Sequence, residues 1–441
     1  MAEIRPFRGV RYNQQLVKDL AAVTCSLYDI TTPEMQQEFY HQSEYNFVRL
    51  EHGRELPQDT ATDNKYTRSA ATFEQWLKQG VLKVDEVPAI YLYDHHFNHQ
   101  ANDYRRRGMV VRVRLEEWDK LVIRPHEGTL TKPKDDRLSL LRACQANTSS
   151  VFAMFEDQGQ RVSSLLALEE RNEPVINFTS ADGERHQVWA ITEPEAVNQI
   201  CGILAHQHLY IADGHHRYES ALTYRRERSA CSSTMSGDDA FNFVMMTLVD
   251  FSDPGLFVLP PHRLIRGISK SILGEFRAEL GTLFDIEQLP LSMPDVWQQV
   301  DDLLTGMKLR EVNQARFILF GLDAEHLLVL KLRDPAAASQ MMPFFHSELY
   351  KNLDISIIDH IILEGLLGLD SSREEARIDY SYDKQEVVNR VLAQEYQLAF
   401  ILNPIKPEVI KAIADVGDRM PRKSTYFYPK LPAGLVFNRL E

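Results

Sequence analysis

Apolar residues along this chain switch between two spacings, one helical and one alternating. Between 66 and 80, Tyr66, Ala70, Phe73, Trp76 and Leu77 share one helical face, and Gly80 follows as a stop. "AIYLY" (89–93) and "GMVVRVRL" (108–115) are rich in aromatic and β-branched residues and predict strands, with the polar stretch between them as a long hairpin loop. "VINF" and "HQVWAIT" flank Ala181, Asp182, Gly183 and Glu184, a hairpin turn in which Gly183 tolerates positive φ. Thr192, Pro194 and Glu195 predict a helix start with Thr192 as its cap, and Val197, Ile200, Cys201 and Leu204 supply the stripe. "LYIA" (209–212) then predicts a short buried strand, and Tyr218, Ala221 and Leu222 resume helical spacing. "FNFVMMTLVDF" (241–251) predicts another strand.

The pattern changes after "LPPHRLI" (259–265). Residues 268–280 and 295–304 predict helices and 315–334 a hairpin, together a small inserted α/β lobe over 266–340. A C-terminal region, 341–441, carries an apolar helix at 353–367, a helix at 386–393, a strand at 398–402 and a helix at 407–416. Hairpins mixed with helix–strand alternation predict an α+β fold with mixed sheets, in which 1–265 forms the main region.

At 441 residues the chain exceeds one ordinary core, which agrees with several lobes. A net charge of −14 disfavours bulk attraction to nucleic acid or anionic membrane, so an anion site would be a local exception. Cys25, Cys144, Cys201 and Cys231 form no CxxC pair and predict reduced thiols in a cytoplasmic protein. "MAEIRPFRG" has no apolar signal core, and no run approaches the roughly 18 apolar residues of a membrane span.

Candidate chemistry concentrates in "YIADGHHRYESAL" (210–222). It places a strand, a tight turn and a helix in succession, and the first amides of a helix lack internal partners. With the helix dipole they form an anion site. Gly214 removes the side chain where a phosphate would approach, and Arg217 can donate two parallel bonds to phosphate oxygens. His215 and His216 can donate bonds or act as acid or base. Asp213 could hold a metal, orient a histidine or cap the helix. As an exposed charge, Arg217 would contribute little to stability. The plainer alternative is a capped helix with solvated histidines.

"RPHEGTLTKPKDDR" (124–137) sets His126, Glu127 and Thr129 beside Lys132, Lys134 and Arg137. Phosphoryl transfer needs a carboxylate for a hydroxyl proton and cations for phosphate oxygens, and this stretch offers both. "MPRKSTYFYPK" (420–430) lacks P-loop glycines, but Lys423 and Ser424 could extend a phosphate pocket, while Tyr426, Phe427 and Tyr428 suit a core. His262 and Arg263 sit at a predicted strand end, and His186 follows the Asp-Gly turn without an assigned role. His95, His96 and His99 do not form a metal centre by spacing, because adjacent strand residues face opposite ways.

"DGHHR" resembles the GxHR-type signature of the ParB/sulfiredoxin-like superfamily, which includes free-serine kinases. The ordered blocks "IRPFRGVR", "YNFVRLE", "RPHEGT", "LYIADGHHRYESAL", "LPPHRL", "LDISIIDHIILEGLLG" and "MPRKSTYFYPKLPAGLV" resemble the uncharacterised domain of unknown function ten-fifteen family from end to end. One block departs from it: Cys25, Ser26 and Leu27 precede Tyr28 and Asp29 where the family usually has Pro-Pro. The helix-mouth anion site with a nearby carboxylate predicts a nucleotide-dependent phosphotransferase acting on a small hydroxyl compound, and the superfamily resemblance implies a ParB/sulfiredoxin-like core in 1–265 and free serine as that compound. It implies ATP or ADP with Mg²⁺ on Asp213; Gly214, His215, His216, Arg217, Lys134, Arg137, Lys423 and Ser424 around the phosphates; and Glu127, His215 and His216 as catalytic groups. A phosphohydrolase of a small phosphomonoester such as phosphoserine, and a nucleotide-sensing module without turnover, use the same residues.

Overall fold

The computed structural model describes residues 2–231, 236–305, 315–369 and 375–440. The chain divides into two compact units, one of Met1–Pro125, Thr129–Phe257 and Phe427–Glu441, the other of His126–Gly128 and Val258–Tyr426. Both mix helices and sheets, so the fold is α+β.

The first unit is built on one mixed sheet. Its strands run in the order Ile123–Arg124, Leu209–Asp213, Val151–Phe155, Phe243–Asp250, Asn102–Arg114, Ile90–His99, Arg185–Ile191 and Ile176–Thr179. Ile4–Arg5 adds to Asn102–Arg114. Val151–Phe155 runs parallel to Phe243–Asp250 and antiparallel to Leu209–Asp213. One face carries Leu92, Met109, Val111, Val113, Ala153, Ile211, Met246 and Leu248, all buried against helices Pro194–Leu204 and His215–Cys231. Their spacing of two puts them on one side of the pleat.

Two local expectations change. The long hairpin loop is in fact strand: Ile90–His99 and Asn102–Arg114 pair throughout, and only Gln100 and Ala101, both at positive φ, make the turn. Successive side chains there point to opposite faces of the sheet, and His95 and Arg106 are both buried. The helix at Pro194–Leu204 starts one residue later than expected: Glu193, not Thr192, is the cap residue, and no side chain bonds the first turn. Pro194 opens that helix, because its missing N–H falls where none is needed.

The second unit has an antiparallel sheet in the order Phe284–Pro290, His326–Leu332, Arg316–Phe320, Leu398–Ile401, His262–Ile265 and Ile378–Ser381. Residues from 266–340 and from 341–441 therefore share this sheet, and its two faces are both covered. Phe317 and Leu319 face helix Lys270–Leu283 and the wide-wound segment Ile357–Leu366; Ile318 and Phe320 face helices Val296–Thr305 and Lys384–Leu392. Arg263 is fully buried in an ion pair with Asp359, and His262 Nδ1 accepts from Leu402 N–H at 3.1 Å, so both serve the fold.

Candidate functional site

The strand Leu209–Asp213 is buried and apolar until its last residue. Its register against Val151–Phe155 shifts between Ile211 and Asp213, a bulge that re-aims Asp213 at the strand end. Gly214 follows at φ +92°, which a side chain rarely adopts, and helix His215–Cys231 begins. Tyr218 N–H bonds back to Gly214 O at 3.0 Å, so the amides before it form the open first turn. The strand–turn–helix read from sequence is present.

Arg217 folds back over this turn. A Cβ on Gly214 would lie 2.9 Å from its Nε and Nη2, so the glycine makes room for the guanidinium plane. Nη2 donates to Asp213 Oδ2 at 2.7 Å and Nη1 to Ser150 O. Nε is buried with no hydrogen-bond partner among the described residues. A buried donor of this kind calls for a ligand or water. Arg217 is only 8% exposed, which corrects its reading as a surface charge.

Lys430 completes the cluster. Its Nζ donates to Asp213 Oδ1 at 2.6 Å. Burial works to raise the Asp213 carboxyl, but Lys430 and then Arg217 outweigh it and hold the group well below the usual carboxylate range. Asp213 is thus ionised, with one cation on each oxygen. A divalent ion would have to displace Lys430 or Arg217 and enter a group already carrying a net positive charge. The residues present do not fit Mg²⁺ at Asp213, and its role is to hold two cations in place.

The other sequence candidates fall in different settings. His215 is buried beside Asp213, where its charge would lower the carboxyl further. His216 Nε2 accepts from Leu130 N–H at 2.9 Å, so that nitrogen carries no proton. Lys134 Nζ lies 3.0 Å from Glu219, which also accepts from Thr129. Arg137 is buried, donating to Glu51 and Asp136, while Thr148 and Ser149 hydroxyls satisfy the same Glu51. The expected phosphate ligand is therefore a buried structural ion pair. Arg137 and Arg217 share a cavity of about 30 Å³, room for one water.

Glu127, Lys423 and Ser424 belong to the second unit. Glu127 Oε1 accepts from Ser424 N–H at 3.1 Å and from Thr425 Oγ1 at 3.4 Å, and His126 Nε2 bonds Thr425 Oγ1 at 2.9 Å. The carboxylate is held in one orientation by the 420–425 stretch. Ser424 is buried and its hydroxyl donates to Pro421 O; Lys423 is exposed at φ +57°.

A second polar cluster lies in the first unit. His95 Nε2 bonds Glu184 Oε2 at 2.6 Å, Tyr93 OH bonds His186 Nδ1 at 2.9 Å, and His95 Nδ1 faces Arg106 Nη2 at 3.1 Å. Burial lowers His186 to about 3 and holds His95 well below the usual imidazole value, while it raises Glu184 to about 7.

A family model described as "Protein of unknown function (DUF1015)" matches residues 4–356. The chain belongs to this family. A search of curated proteins gives no match. Among solved structures, a free serine kinase in complex with AMP is similar at 12% identity, over 73% of this chain and 90% of the kinase, with a TM-score of 0.33. A conserved hypothetical protein from Pyrococcus furiosus shares 14% identity over 73% of this chain and 93% of its own, again at 0.33. SbnI with a C-terminal truncation, from Staphylococcus aureus, shares 9% over 73% and 84%, at 0.33. These likenesses are distant and do not extend to chemistry. Among the described residues, no helix is long and apolar enough to cross a membrane. Lys430 is the site residue that the sequence did not single out; it stands in the quoted "STYFYPK" block, where only the residues before it drew attention.

Proposed function

We propose that this family member is a phosphoryl-transfer enzyme that grips a nucleotide phosphate at the mouth of helix His215–Cys231. The observation that carries the reading is the buried Arg217 guanidinium laid over Gly214, with Nε unpartnered among the described residues, beside Lys430. Arg217, Lys430 and Asp213 sum to one positive charge, and the helix dipole adds to it. A dianionic terminal phosphate is the ligand such a field favours. In this reading Arg217 and the first-turn amides take phosphate oxygens, Lys430 offsets charge as the bond to the leaving oxygen breaks, and His215 donates from the turn. The acceptor in this reading is a small hydroxyl compound, with free serine as the first to try. The turn belongs, in the same reading, to the ParB/sulfiredoxin-like type.

Calorimetric titration of the intact protein with ADP and inorganic phosphate tests the site. Arg217→Ala should weaken both by about tenfold or more, since a charge-assisted bond is lost. It should also cost about 1–3 kcal/mol in urea denaturation, because Asp213 keeps only one of its two cations. Unchanged affinity would end the proposal. Transfer from ATP to serine marks a kinase; phosphate release from phosphoserine without nucleotide marks a hydrolase; binding without turnover marks a sensor.

A further inference from the structure

The His95, Glu184 and His186 side chains bring their ligand atoms within 4.8 Å of one another, the spacing of a metal centre. The neighbour of His95 rules that use out. Arg106 can only donate, so its contact at 3.1 Å makes His95 Nδ1 an acceptor. The neutral ring then carries its proton on Nε2 and gives it to Glu184. A metal on Nε2 would move that proton to Nδ1, donor against donor, beside a buried guanidinium. The chain of bonds instead runs Glu184, His95, Arg106, and it fixes the arginine.

Arg106 is 2% exposed, and its remaining bonds go to the returning C-terminal segment. Nη1 donates to Tyr428 O at 3.2 Å and Nη2 to Pro429 O at 2.8 Å, while the guanidinium sits over the Phe152 ring at 5.1 Å. The very next residue is Lys430, on Asp213. Lysine is a point charge on a flexible stem, so its placement depends on a fixed backbone. We infer that Arg106, held by His95, is a positioning residue that clamps the carbonyls of Tyr428 and Pro429 and so delivers Lys430 to the anion site. The inference rests on the proposed anion reading for its functional meaning. The clamp itself does not depend on that reading.

A double-mutant cycle tests it. Arg106→Lys keeps the charge but cannot hold two carbonyls and an imidazole at once. Inorganic phosphate is titrated into the full chain and into Arg106→Lys, Lys430→Ala and the double variant. If Arg106 acts through Lys430, each single variant loses about tenfold and the double is no weaker than Lys430→Ala, because coupled residues are not additive. Additive losses, or an Arg106→Lys protein with unchanged affinity, overturn the inference. Should Arg106→Lys not fold, His95→Leu removes the acceptor at similar volume and should lose affinity, whereas His95→Asn can supply Oδ1 to Arg106 and should restore it. Equal affinity for the two His95 variants also overturns it. If the unaltered protein binds no phosphate or ADP, the anion reading fails by itself. The clamp is then read from the ¹³C-methylated Lys430 ammonium resonance, which must shift in Arg106→Lys; a resonance that stays in place refutes the clamp.

Discussion

Gly214 and Arg217 act as a pair: the glycine has no Cβ because the guanidinium occupies that space. The arginine's place at the turn was legible from "DGHHR", but its burial was not, since the Ser150 carbonyl it uses is 67 residues away. Arg137 shows the same blindness, for its partner Glu51 is 86 residues away and turns an expected phosphate ligand into a buried ion pair. The acid at 184 gives a residue-level prediction. Burial raises its carboxyl to about 7, above the unfolded value of about 4.3, so the folded state holds a proton that the unfolded chain releases. That stability is present at low pH and lost as the pH rises through about 7. Glu184→Gln, which keeps an oxygen for His95, should remove this loss. Its melting temperature at pH 8 should exceed that of the unaltered protein, and its profile between pH 4.5 and 7 should be flatter. A lower melting temperature at pH 8 would mean that the charged form is needed.

At the level of elements, the strand Leu209–Asp213 is what aims the site. Ile211 is fully buried, and the register shift just after it turns Asp213 toward Lys430 and Arg217. Ile211→Ala should cost about 3 kcal/mol by urea denaturation, the usual toll of a cavity under a strand. A cost under about 1 kcal/mol would show that the sheet closes around the gap. Hydrophobic patterning revealed this strand and the hairpin at 315–334 as near-continuous apolar runs buried on both faces, and the helix after the strand by one regular apolar face. It failed at 94–107, where inward positions hold His95 and Arg106 in place of apolar residues and so mimic a loop. It also passed over Lys430, whose significance comes from a contact with Asp213 across 217 residues.

For the whole molecule, the −14 net charge and the positive cluster at Asp213, Arg217 and Lys430 have opposite signs. An anionic ligand would be held by the local field against the global one, and added salt should weaken the opposition from distant charges more than the grip of close ones. The two cores allow a cleaner separation. Phe317 is fully buried in the second unit, so Phe317→Ala should remove about 3–5 kcal/mol there and lower a melting transition in calorimetry. Phosphate affinity at 25 °C should stay unchanged, since Arg217 and Lys430 both belong to the first unit. Weaker binding would mean that the second unit contributes to the grip. The first unit is discontinuous in sequence, taking back Phe427–Glu441 after the chain has traversed the second. A ribosome would release most of that sheet long before it released the lysine. The nascent protein would therefore hold its aspartate and arginine in place and yet complete the three-residue cluster only after the whole second unit has been synthesised.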